Sequence, residues 1–465
     1  MHLVVIGGSD AGISAALRAR ELDPSAEVTV VVADEYPNFS ICGIPYYISG
    51  EVAHWSDLAH RTRADLEAAG MALRLGTRAT RIDVARHVVH LRGRQGTEEV
   101  LAYDRLVVGT GAVPVQPPIE GLGGPGGLDE ADGVHLLHTM GDTFALSRTL
   151  EERAPATALV VGAGYVGLEM AEGLTIRGLE VAQVEMLPEV LPTVDPVLGA
   201  LVHAELVANG LDVATLTTVK RLSRAPVGAA GRLRVEAARS DGHPYVLDVD
   251  LVLVSVGVRP DAELLVGAGA RTGPRGAVLA DEGMHTGLPD VYAAGDCVAT
   301  HHRLLGLTYL PLGTTAHKQG RVAGENAVGG QARYAGSLGT QVVKVFDLVA
   351  ARTGLREGEA LTAGFSPATT QAEPDDHKAY YPTAYPIAIR ITGDTATGRL
   401  LGAQLVGRRG TEVAKRVDTF ATAIHHAMTV DGMSELDLSY SPPLGSPWDA
   451  VQTAAQAWVH EHQAL

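Results

Sequence analysis

Cys42 is one of only two cysteines in the 465 residues, and it sits in the run Asn38, Phe39, Ser40, Ile41, Cys42, Gly43, Ile44, Pro45, Tyr46, Tyr47. A thiol followed by glycine and set among aromatics is a candidate redox nucleophile where its surroundings favour the thiolate. The alternative is a buried core cysteine, the commoner fate of a lone thiol. Three carboxylates carry the next signal: Asp34, Glu185 and Asp296 each follow an apolar run closely. Acids at strand ends accept hydrogen bonds from ribose or ribityl hydroxyls. Cys297, directly after Asp296, reads as structural.

The elements that must position these groups are two strand-turn-helix-strand units. In the first, Leu3 to Ile6 runs into Gly7, Gly8, Ser9, Asp10, Ala11 and Gly12, then a helical pattern and an apolar strand ending near Ala33. A phosphate reaches backbone N–H groups at a helix N-terminus only where side chains are absent. Ser9 replaces the usual second glycine, and Asp34 is the candidate ribose acid two residues beyond the strand. The second unit is intact: the strand Ala158 to Val161, then Gly162, Ala163, Gly164, Tyr165, Val166 and Gly167, a helix, and a strand ending in Glu185. A carboxylate there accepts the ribose hydroxyls of NADH and repels a 2′-phosphate, so NADH is favoured over NADPH. Thr110 and Gly111 follow an apolar strand, which suits close approach to a cofactor, and Gly257 ends the buried strand Leu251 to Val256, which marks the return from an inserted nucleotide domain. The Gly- and Pro-rich stretch from Pro117 to Gly133 reads as a surface linker.

A formal net charge of −17 argues against nucleic acid or an anionic membrane surface as the main partner. No 18-residue apolar run lacks charges, so no membrane span is expected. The apolar start at Met1 has no basic leader, and two distant cysteines form no disulfide framework; a reducing cytoplasm is the expected compartment. No metal site is expected.

On these motifs the chain resembles the pyridine nucleotide-disulfide oxidoreductases, in the single-cysteine branch of coenzyme A-disulfide reductases, NADH oxidases and persulfide reductases. The carriers are the segment around Cys42, Tyr103 to Pro114, Gly162 to Glu169, Val291 to Asp296, Leu310 to Gly313 with Lys318 to Arg321, and Tyr440 to Pro443. The resemblance implies an α/β fold with two Rossmann-like dinucleotide-binding domains, for FAD and NAD, and a C-terminal α+β dimerisation domain. The division expected is 1–120 and 251–333 for FAD, 121–250 for NAD and 334–465 for the interface of a homodimer. It implies that Cys42 is the redox thiol, that Tyr380 and Tyr440 face the partner's cysteine, that Glu169 helps place the nicotinamide, and that Arg18 and Arg20 contact an anionic substrate. Coenzyme A enters as substrate or adduct, and a disulfide, a persulfide or oxygen is the acceptor. Asp10 stands where the oxidases usually carry a histidine, which lowers the oxidase reading. A flavin-based redox sensor without rapid turnover is the alternative of another class.

Overall fold

The computed structural model describes residues 1–462; the last three residues of the expected C-terminal domain lie outside them. The chain divides into two compact units. The first takes Met1–Val115, Leu136–Arg148 and Gly257–Ser337, and the second takes the rest.

The first unit is built on a five-stranded parallel sheet in the order Val291–Ala293, Arg105–Val108, His2–Ile6, Glu27–Val31, Met71–Arg74. Because side chains alternate along a strand, Leu3 and Val5 face one layer and Val4 and Ile6 the other. The first layer holds the helices Asp10–Leu22 and Gly313–Ala327. The second holds Ile82, Val89 and Leu91 of a three-stranded antiparallel sheet, together with Cys297. Both faces are covered, which is why these strands are near-continuous apolar runs. The two helices touch backbone to backbone: a Cβ on Gly320 would lie 2.2 Å from the Ala11 carbonyl oxygen, and one on Gly324 2.1 Å from that of Ala15.

The second unit contains a second five-stranded sheet, in which Thr157–Val161 lies between Glu180–Val184 and Leu251–Val254, both parallel to it. Residues 117–133 are more tightly held than a surface linker. Glu120 N–H donates to Lys220 O and Leu222 N–H to Glu120 O, while Ile119, Leu122 and Leu128 are buried. A five-stranded antiparallel sheet follows, ordered Gln341–Val345, Leu348–Gly354, Leu400–Arg408, Ala388–Asp394, Pro367–Ala372. Helices Val413–His425 and Ala450–His462 cover it, burying Phe420 and Trp458. Inside this unit Lys344 pairs with Glu172, and Asp195 accepts from Arg390 and Gln404.

Candidate functional site

The two glycine turns share one internal geometry. Gly7 and Gly162 have φ of 116° and 103°, a region glycine enters without strain. A Cβ on Gly12 would lie 2.0 Å from Gly7 O, and one on Gly167 2.3 Å from Gly162 O. Each turn therefore folds its helix back onto its strand only as glycine.

The thiol segment is hooked onto the first turn. Asn38 N–H donates to Gly8 O at 2.6 Å, and Asn38 O accepts from His60 N–H at 2.9 Å. Asn38 adopts φ 60°, a left-handed conformation that asparagine tolerates better than most residues. Ser40 N–H donates to Leu58 O, and the chain then enters a 3₁₀ turn at Ile41–Gly43 with Cys42 exposed. No disulfide joins Cys42 to buried Cys297. Behind the segment Tyr36, Phe39, Trp55 and Phe144 pack ring to ring, with Phe39 stacked on Trp55 at 5.6 Å. These contacts fix the segment on the N-terminal side of the thiol.

The flavin implied by the resemblance fits the residues of this unit. Asp296 Oδ1 and Asn38 Oδ1 are buried and have no hydrogen-bond partner among the described residues, so each is an acceptor waiting for a donor. Burial, with the charge of Asp10 adding to it, pushes the Asp296 carboxyl up to about 6. Between its unfolded value, about 3.9, and 6 the folded chain holds a proton that the unfolded chain has lost. Stability without flavin therefore falls as pH rises through that window, by roughly 3 kcal/mol in all. Asp296→Asn is expected to flatten this dependence and raise the Tm of the flavin-free protein at pH 7.5, while loosening flavin retention. Melting curves at pH 5 and 7.5 check both.

The remaining first-unit candidates are placed as follows. Ser9 begins the Asp10–Leu22 helix without a side-chain capping bond. Ala11, behind it, contacts the Gly295 position, where a Cβ would lie 2.8 Å from its own. Asp34 Oδ1 accepts from Tyr36 N–H, and burial raises its carboxyl. Thr110 donates its hydroxyl to Asp261 O, beside Gly111 at φ 75°. Gly257 has φ 100° and accepts from Val115 N–H. A Cβ on Gly313 would meet Asp10 Oδ2 at 3.1 Å.

In the second turn a Cβ on Gly164 would meet nothing within 4 Å, leaving open space where a pyrophosphate would lie. Val166 is exposed on the first turn of the Tyr165–Ile176 helix, and Glu169 is half-buried one turn on. Tyr165 accepts from the Thr193 hydroxyl, and burial raises its phenol. Glu185 is buried, with Oε2 accepting from Ala163 N–H and Oε1 from Leu187 N–H. It braces the turn as well as ending the strand, and each oxygen keeps a lone pair for a hydroxyl.

The two arginines of the first helix have partners within this unit. Arg18 is ion-paired with Glu325 at 2.6 Å and Glu21 at 2.9 Å. The Arg20 guanidinium donates to the carbonyls of Pro24, Ala26 and Ala69.

In the second unit Tyr380 and Tyr440 hydrogen-bond to each other, which raises the Tyr380 phenol. Their loops meet where Lys378 N–H donates to Pro442 O. Sequence reasoning missed what holds them: buried Arg416 donates to Asp376 O in one loop and to both carboxylate oxygens of Asp449 beyond the other. Asp376 in turn accepts from Tyr385 N–H and pairs with His377. The signal was an arginine on the apolar stripe of Val413, Val417 and Phe420. Also missed was the environment of Asp10. His317 Nε2 lies 3.4 Å from Asp10 Oδ1, and His60 completes the group.

Residues 1–320 match the family described as pyridine nucleotide-disulphide oxidoreductase, and residues 340–451 its dimerisation domain. The chain is 33% identical to an NADH oxidase of Methanocaldococcus jannaschii, with 98% of each chain covered. It is likewise 33% identical to a CoA-dependent NAD(P)H sulfur oxidoreductase of Pyrococcus furiosus, again over 98% of each. The NAD-dependent persulfide reductase from A. fulgidus superposes with a TM-score of 0.91 at 38% identity, over 99% of this chain and 83% of that one.

Proposed function

The chain belongs to the pyridine nucleotide-disulphide oxidoreductase family, and on that premise we propose that it is an NADH-dependent flavoenzyme that reduces a low-molecular-weight disulfide or persulfide, of the coenzyme A kind, through Cys42. The observation that carries the reading is the tie between an exposed thiol and a dinucleotide turn, made by the Asn38–Gly8 hydrogen bond. The sulfur and persulfide reductases among its relatives support the acceptor class.

FAD would be held by Gly7, Ser9, Asp10, Ala11 and Gly12, Asp34, Thr110, Gly111, Gly257, Asp296 and Gly313, and the nicotinamide nucleotide by Gly162, Gly164, Tyr165, Val166, Gly167, Glu169 and Glu185. When bound, the pair supplies the two electrons that return sulfur from disulfide to thiol. The protein's own steps concern Cys42. Its thiolate attacks one sulfur of the acceptor, forming a Cys42–sulfur bond and expelling the other sulfur as thiolate. Without a second cysteine in the segment, the mixed disulfide is made with the substrate's own sulfur. The balance is NADH, a proton and a disulfide giving NAD⁺ and two thiols. The departing thiolate is stabilised by a hydrogen bond from the Tyr380–Tyr440 phenol pair of the partner subunit, with neither phenol needing to ionise. Tyr380, Tyr381, Tyr440, Leu444 and Trp448 are all exposed here, and a patch of that kind suits burial in a homodimer. The domain division 1–120 and 251–333, 121–250, 334–465 remains the working assignment. Among the described residues no helix is long and apolar enough to cross a membrane.

A panel of coenzyme A disulfide, coenzyme A persulfide, other small disulfides and oxygen, each at saturating NADH, tests the reading. Disulfide or persulfide turnover should exceed oxygen uptake by at least an order of magnitude. Dominant oxygen uptake would make the protein an oxidase, as the M. jannaschii relative is named. Tyr380→Phe and Tyr440→Phe should each lower kcat about 10²- to 10³-fold, the usual range for a lost hydrogen-bond donor to a developing anion. Flavin reduction by NADH should be unaffected, and an unchanged kcat would reduce the tyrosines to interface packing.

A further inference from the structure

Residues 10, 60 and 317 are far apart in the chain, and no local spacing joins them. The fold of the first unit nevertheless gathers their ligand atoms, one carboxylate oxygen and two imidazole nitrogens, within 4.8 Å of one another. We propose that Asp10, His60 and His317 form a binding site for a divalent transition metal of the zinc class, beside the thiol segment.

The geometry supports a shared ion. Two ligands each about 2.0–2.1 Å from a tetrahedral ion stand about 3.3 Å apart. Asp10 Oδ1 and His317 Nε2 are 3.4 Å apart. The His317 ring is oriented from behind: its Nδ1 lies 2.9 Å from Ser14 Oγ, one turn along the same helix as Asp10. With Nδ1 engaged by the hydroxyl, Nε2 is the nitrogen left facing the carboxylate, which is how metal-bound imidazoles are held in general. The rings of His60 and His317 approach to 6.3 Å between centroids, nearly edge to face, and both are exposed. Two imidazoles and one carboxylate select zinc, copper, nickel or iron, whereas calcium and magnesium prefer all-oxygen sets. Three protein ligands leave a fourth position open to water or a ligand.

The site is coupled to Cys42 through the backbone. His60 N–H donates to Asn38 O, and Phe39 bridges Ala59. An ion held by His60 would tie that loop, and with it the strand-like run leading to Cys42, to the helices that carry Asp10 and His317. The proposal does not depend on which acceptor the thiol reduces.

The test is calorimetric titration of Zn²⁺ into the flavin-loaded, chelator-treated full-length protein in excess Mg²⁺. One Zn²⁺ per chain is expected. His60→Ala and His317→Ala should each weaken binding at least tenfold, and Ser14→Ala, which leaves all three ligands, by about tenfold. Cys42→Ser should bind as the wild type does. Flavin absorbance retained by each variant shows that it has folded, and anomalous scattering at the zinc edge in crystals of the wild type gives the position directly. Absence of uptake, unchanged affinity in both histidine variants, or loss of binding in Cys42→Ser alone would overturn the site, the last by assigning the metal to the thiol.

Discussion

Cys42→Ser is expected to lower NADH-driven turnover of disulfides and persulfides by at least about 10³-fold, while NADH still reduces the flavin in a single rapid phase. A serine oxygen forms no mixed disulfide, so the bond that must be made to the acceptor cannot form. The substitution is nearly isosteric and the position exposed, so folding and flavin content should be unchanged. Anaerobic stopped-flow separates the two halves of the reaction: flavin bleaching reports the nucleotide side, and thiol release reports the sulfur side. Retention of full turnover on every sulfur acceptor would remove Cys42 from the chemistry. Loss of flavin reduction as well would show that the variant disturbs the nucleotide side, and would shift the role of the segment from nucleophile to support.

Gly320→Val should destabilise the protein by about 3 kcal/mol or more and strip it of flavin. The physical reason is the contact between the helices Asp10–Leu22 and Gly313–Ala327. A Cβ at residue 320 would lie 2.2 Å from Ala11 O, with the Ala11 carbonyl carbon and Cα both at 2.9 Å. Backbone cannot yield as a flexible side chain does, so the helices must part. Parting them moves the N-terminal turn proposed to hold the flavin, along with Asp10 and Gly313. Gly358→Ala is the matched control: it lies in the Glu357–Thr362 helix with nothing within 4 Å of its Cβ. That change should leave Tm unchanged or slightly raised, since it restricts the unfolded chain without a clash. Thermal melts with flavin quantification check both, and equal Tm values for the two variants would contradict the close helix contact.

What could be read along the chain and what could not divide on a physical line. The two glycine turns were legible because their requirement is local. A strand that must turn within a few residues into a helix, and admit a phosphate, needs glycines at fixed offsets, and the offsets lie in contiguous sequence. The same holds for the carboxylate closing the second strand and for Asp296 after its strand. Side-chain commitments were not legible. Arg18 and Arg20 looked alike on a helix, yet one is neutralised by Glu325, 307 residues away, and the other caps three carbonyls. Residues 117–133 had the composition of a linker, but their pairing with residues 220–222 depends on a strand laid down a hundred residues later.

By itself, then, the sequence determined the α/β class, the two dinucleotide turns, the family and the thiol on which the chemistry is expected to turn. Each rests on short-range backbone geometry or on residue type at a fixed spacing. Only the tertiary structure decided which donors are already spent, which buried oxygens of Asn38 and Asp296 still lack a partner, how Arg416 binds two tyrosine loops together, and that Asp10 stands with two histidines. Those outcomes follow from which distant segments pack against one another, and no local pattern encodes that choice.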